Sequence, residues 1–80
     1  MNIKTYIEGY VISTISNPIG IAFDIFGNMF ETMIYKDDTK EFLSFQERYK
    51  NCSSAIDGHI RAIRNIDKIL YEEGNNGNLH

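Results

Sequence analysis

The chain is short of the usual molecular staples: 80 residues hold one cysteine, one proline and no tryptophan. Cys52 has no partner within the chain, so no disulfide framework can support the fold. Basic residues are also scarce, eight Lys and Arg against eleven Asp and Glu, which argues against the positive footprint of most nucleic-acid binders. The longest nearly uncharged stretch, Tyr10 to Ala22, contains Ser, Thr, Asn and Pro and cannot span a bilayer as a helix. The opening Met1-Asn2-Ile3-Lys4-Thr5-Tyr6 lacks the apolar centre of a signal peptide. A cytoplasmic protein with no membrane partner is the expectation.

What is present suits one small globular domain. Apolar residues make up 42% and charged residues 24%, a composition outside the disordered range. A chain of this length buries only roughly 60–65% of its unfolded surface, which leaves the isolated monomer marginal. Isoleucine is abundant, with thirteen Ile against three Leu and three Ala. Helix propensity does not ask for that ratio. Coding DNA rich in A and T accounts for it, as in low-GC bacteria, their phages and plasmids.

The first half reads as strands and the second as helix. Residues 3–16 are rich in Ile, Val, Tyr and Thr, and Asn17-Pro18-Ile19-Gly20 suits a bulged hairpin turn. A second strand is expected over 21–26, a two-residue turn at Gly27-Asn28, and a third strand over 29–35. Lys36 to Lys40 forms a polar exit loop. Ser44-Phe45-Gln46-Glu47 has capping-box spacing, with a start near Asp38 or Thr39 as the alternative. Phe42, Phe45, Tyr49, Cys52, Ile56, His59, Ile63, Ile66 and Leu70 recur in steps of three and four. They predict one long helix over 42–73, with a break near Cys52 to Ser54 left open because Gly58 and a second capping box follow. Residues 74–80 look like a polar tail after a Gly74 stop. The expected fold is α+β, a three-stranded antiparallel meander with a long helix on one face.

Counting register along these strands separates two sheet faces. Ile3, Ile7, Val11, Ile15, Phe30 and Ile34 join Ile21, Phe23 and Ile25 as the expected core face. The opposite face carries Tyr6, Tyr10, Ile12, Ala22, Phe26, Met29, Met33 and Tyr35, interrupted by Glu8, Thr14, Asp24 and Glu31. A solvated face of an antiparallel sheet should be polar, whereas aromatics and Met are enriched at interfaces. Ala55, Ala62 and Ile69 form a second helical line, suited either to close approach of another helix or to a wider core stripe. The expected interface is therefore Tyr6, Tyr10, Ile12, Phe26, Met29, Met33, Tyr35, Ala55, Ala62 and Ile69.

Chemistry-bearing residues are sparse. Cys52 and His59 lie seven apart, too few ligands for a zinc site, and read as an inert buried thiol and a buried neutral histidine. Asp24 opposite Glu31 reads as two solvated acids, and no nucleophile–base pair stands out. Asp57 four before Arg61 allows an ion pair on the helix. No catalytic, cofactor or metal site is expected. The functional expectation is a non-catalytic homodimer that binds and inhibits another protein, such as a phage or mobile-element accessory, anti-defence or antitoxin-like factor. A small dimeric nucleic-acid-binding regulator and a ligand-sequestering protein are the alternatives.

Overall fold

The computed structural model describes residues 1–16 and 27–77. Four strands come first: β1 (Asn2–Ile7), β2 (Tyr10–Ser16), β3 (Phe30–Lys36) and β4 (Phe42–Tyr49). Two helices follow, α1 (Cys52–Arg64) and α2 (Ile66–Gly77). The sheet is antiparallel in the order β1-β2-β3-β4, so each strand pairs with its neighbours in sequence. The α+β class is as expected; the described residues hold four strands, where three were expected in the whole chain, and two short helices in place of one long one.

The expected strand over 3–16 is in fact a hairpin. Glu8 and Gly9 both have positive φ, 48° and 87°, and form a two-residue turn that pairs Ile7 with Tyr10. Two positive φ values in a two-residue loop match the right-handed twist of the strands it joins. Because each strand alternates strictly, this turn changes which β2 residues share a face with β1. Ile3, Thr5 and Ile7 lie beside Thr14, Ile12 and Tyr10, and Ile12 and Thr14 lie beside Ile34 and Thr32. This is the face the helices cover. Val11 and Ile15, expected in the core, fall on the other face, where Val11 is nevertheless fully buried.

The segment 42–49 is a strand, with Leu43, Phe45, Glu47 and Tyr49 turned to the helices at every second position. The Lys36–Lys40 loop connects it to β3, where Lys36 N–H donates to Glu41 O at 2.9 Å. Ser44 and Glu47 therefore cap no helix. Asn51 does, its side chain accepting from Ser54 N at 2.8 Å. The helical break also falls elsewhere than at Cys52–Ser54. It is at Asn65, whose Nδ2 donates to Arg61 O at 2.9 Å and whose backbone N–H bonds the same carbonyl. Helix α2 then runs past Gly74 to Gly77, through residues where a polar tail was expected. The turn at 17–20 and the strand over 21–26 lie outside the described residues.

The core joins Ile12 and Ile34 of the sheet to Ala62 and Ile66 of the helices. Ile7, Tyr10, Leu43, Phe45, Ile63, Ile69 and Leu70 pack around them. Glycine at 58 is required by close approach: a Cβ there would lie within the Tyr49 ring. Helix α1 thus passes directly over β4. Helix α2 reaches its outer edge, where Glu73 accepts from Ser44 N–H at 3.0 Å and from its hydroxyl at 2.6 Å. That contact uses an edge donor otherwise open to another chain. Among the described residues, no helix is long and apolar enough to cross a membrane.

Candidate functional site

Neither helix lies against the second face of the sheet. Cross-strand pairs share a face, so register places Lys4 and Tyr6 of β1 there beside Ser13 and Val11 of β2. Ile15, Met33 and Tyr35 continue the face across β2 and β3, and Phe42, Gln46 and Arg48 complete it on β4. Tyr6 is 65% exposed and Phe42 59%, large values for such side chains in a small domain. The Phe42 ring meets Tyr35 edge-on, with centroids 5.3 Å apart and planes inclined at 62°. Lys40 Nζ lies 5.8 Å from the Tyr35 ring centroid and 3.1 Å from the Asp37 carboxylate. Tyr35, Lys40 and Phe42, together with Asn2, Lys4, Ser13, Ile15, Glu31 and Met33, line an open groove of about 350 Å³.

The carboxylate within this face is tied down. Glu31 is 6% exposed and accepts from Arg48 Nε at 2.8 Å and from the Gln46 amide. Its cross-strand neighbours are Ile15 and Arg48; Asp24, its expected opposite number, lies outside the described residues. On this face Lys40 pairs with Asp37 and Arg48 with Glu31, which leaves Lys4 as a cation without an ion pair among the described residues.

The structure divides the interface residues expected from sequence. Tyr6, Met33 and Tyr35 are on the open face. Tyr10 and Ile12 are on the covered face, with Ile12 fully buried, because the Glu8-Gly9 turn shifts the alternation. Ala55 and Ala62 are buried under the sheet and Ile69 packs on the same core, so this line widens the core stripe. Met29 precedes β3, its N–H bonded to Tyr49 O at 2.9 Å, and Phe26 lies outside the described residues. Phe42, counted from sequence as a core residue, is the large aromatic of the open face. Read as alternating, Phe42-Leu43-Ser44-Phe45 would have placed it there. Cys52, expected buried, is exposed at the start of α1.

Beneath the covered face runs a line of polar contacts. His59 is buried, with Nδ1 2.7 Å from Thr14 Oγ1 and Nε2 2.8 Å from Thr5 Oγ1. Thr14 and Thr32 hydroxyls touch across the β2–β3 pair, and Thr32 lies 3.0 Å from Tyr49 Oη. Tyr49 reaches Glu47 at 2.7 Å, and Glu47 meets Arg61 at 3.0 Å, in place of the expected Asp57–Arg61 pair. Burial lowers the His59 pKa from its ordinary 6.5, the direction expected from sequence. Burial also pushes the Tyr49 phenol up to about 12; Thr32 lowers it and Glu47 raises it.

Among the described residues, no three His, Cys, Asp or Glu side chains converge as a metal site would require. No protein-family model matches the chain, and neither curated proteins nor solved structures give a match.

Proposed function

We propose that the protein is a non-catalytic binding module whose open sheet face takes an extended acidic segment of another protein, blocking that partner. The observation that carries this reading is the one-sided helical cover, which leaves Tyr35 and Phe42 lining a groove and Tyr6 exposed on the same face. Rigid aromatics supply contact area at little conformational cost, and Met33 adapts to an irregular surface. Lys4 and Lys40 line the same groove, and Lys4, without an ion pair among the described residues, favours a negatively charged guest. A second copy of the chain meeting this face with its own would set these cations against each other. The helix line that could have served self-association is buried in the core. An acidic foreign segment is therefore favoured over a homodimer.

Panning a random-peptide display library on the immobilised protein tests the proposal, with Phe42→Ser protein for counter-selection. Peptides combining acidic with aromatic or aliphatic residues are expected, and their binding should weaken in Lys4→Glu and with added salt. Ligands that bind Phe42→Ser equally well overturn the assignment of the face. A monomer–dimer equilibrium abolished by Phe42→Ser would replace the foreign segment with a second copy. Salt-dependent binding of oligothymidylate without peptide enrichment would replace it with a single-stranded nucleic acid.

A further inference from the structure

The buried line of contacts has only one consistent arrangement of protons. Glu47 pairs with Arg61 and is an acceptor, so at 2.7 Å the single Tyr49 hydroxyl proton must point to it. Tyr49 Oη can then only accept from Thr32, and Thr32, having donated, accepts from Thr14. Thr14 has spent its proton as well and must accept from His59 Nδ1–H. In the neutral ring Nε2 is left with a lone pair, which accepts from the Thr5 hydroxyl. Five donations run one way, from Thr5 on the edge strand to Glu47 at the rim.

We propose that this chain holds His59 as its Nδ1–H tautomer and makes it an acid-sensitive latch on β1. The incoming proton can bind only at Nε2, where the lone pair becomes an N–H bond. Thr5 Oγ1 must then change from donor to acceptor, while the Thr14–Thr32–Tyr49–Glu47 direction is unchanged. The resulting cation is buried, and the groups around it offer little compensation. Thr5, Thr14 and Thr32 face it from β1, β2 and β3 without charge. On β4 Tyr49 is neutral and Glu47 is already paired with Arg61 of α1. Water must reach the imidazolium. Thr14 and Thr32 are fully buried in the middle of the sheet, whereas Thr5 is half-buried on a strand paired along one edge only. Displacing β1 opens the shortest route, so β1 loosens before the rest of the sheet. The latch operates whatever occupies the open face.

Two measurements decide this, both on the full chain. In long-range proton–nitrogen spectra of histidine-labelled protein near neutral pH, the downfield, unprotonated ring nitrogen of His59 should be Nε2. His80 supplies the second histidine signal for comparison. Assignment of the downfield nitrogen to Nδ1 overturns the chain direction. Amide hydrogen exchange, corrected for intrinsic rates, should then be followed through the His59 titration. Protection of Ile3, Thr5 and Ile7, whose N–H groups pair with β2, should fall as His59 titrates, while Met33 and Ile34 of β3 hold theirs. Equal loss in β1 and β3, or none in β1, overturns the latch. In Thr5→Val, which keeps the shape but removes the acceptor for Nε2–H, His59 should titrate at still lower pH. An unchanged titration there also counts against the proposal.

Discussion

The two faces of one sheet have exchanged their usual roles. The covered face is threaded by hydroxyls, Thr5, Thr14 and Thr32, with His59 among them. The face without helices presents Tyr6, Tyr35, Phe42 and Met33. Burial here follows hydrogen-bond satisfaction as much as hydrophobicity: every buried polar side-chain atom among the described residues has a partner. The aromatic face has no such internal requirement.

The difference between the faces is open to direct attack, most severely at the helix–sheet contact. Gly58→Val should cost on the order of 3 kcal/mol in denaturant unfolding, because the new side chain occupies the Tyr49 ring position. A variant of wild-type stability would show that α1 does not press on β4. Thr32→Val comes next, at about 2 kcal/mol, since it keeps the volume but deprives Thr14 and Tyr49 of a buried partner. Thr14→Val and Thr32→Val combined should cost less than the sum of the two. Additivity would mean that the hydroxyls act independently.

Acid should have a smaller, graded effect. The His59 pKa is depressed in the folded state, so below about 6.5 the unfolded chain takes up the proton first. Stability should therefore fall as pH drops from that value toward the folded pKa and level off below it. His59→Gln should flatten this part of the profile, and a profile identical to wild type would assign it to other groups. The smallest effect belongs to the open face. Phe42→Ser should change folding stability by less than about 0.5 kcal/mol, as exposed substitutions do. A loss as large as that of Ile34→Ser would mean that this face is covered within the chain itself.

Sequence made the α+β class and the burial of His59 legible, and both rest on periodicity strong enough to survive local errors. It misled at two places. Glu8-Gly9 lies between Ile7 and Tyr10, so the alternation reads straight through a turn that the less common Glu at positive φ helps to make. That one turn exchanged Ile12 with Val11 between the two faces, although both are fully buried. Residues 42–49 fit both periods, since Phe42, Phe45 and Tyr49 suit a helix while Leu43, Phe45 and Tyr49 suit a strand. Eight residues cannot separate those patterns; tertiary pairing with β3 does. The open face was legible in kind, through Tyr6, Met33 and Tyr35, and its leading aromatic was hidden by the helical reading of Phe42. The hydroxyl chain was invisible because it joins residues far apart in sequence.

The cover that completes the core is made after the sheet it covers. A ribosome that has released β1 through β4 has released a sheet with neither face protected, with Thr14 and Thr32 still lacking His59 and with Ser44 still lacking Glu73. Nearest-neighbour pairing lets that sheet assemble early. Its survival then depends on how quickly α1 and α2 emerge. A message truncated near Asn51 should yield a sticky, chaperone-dependent product.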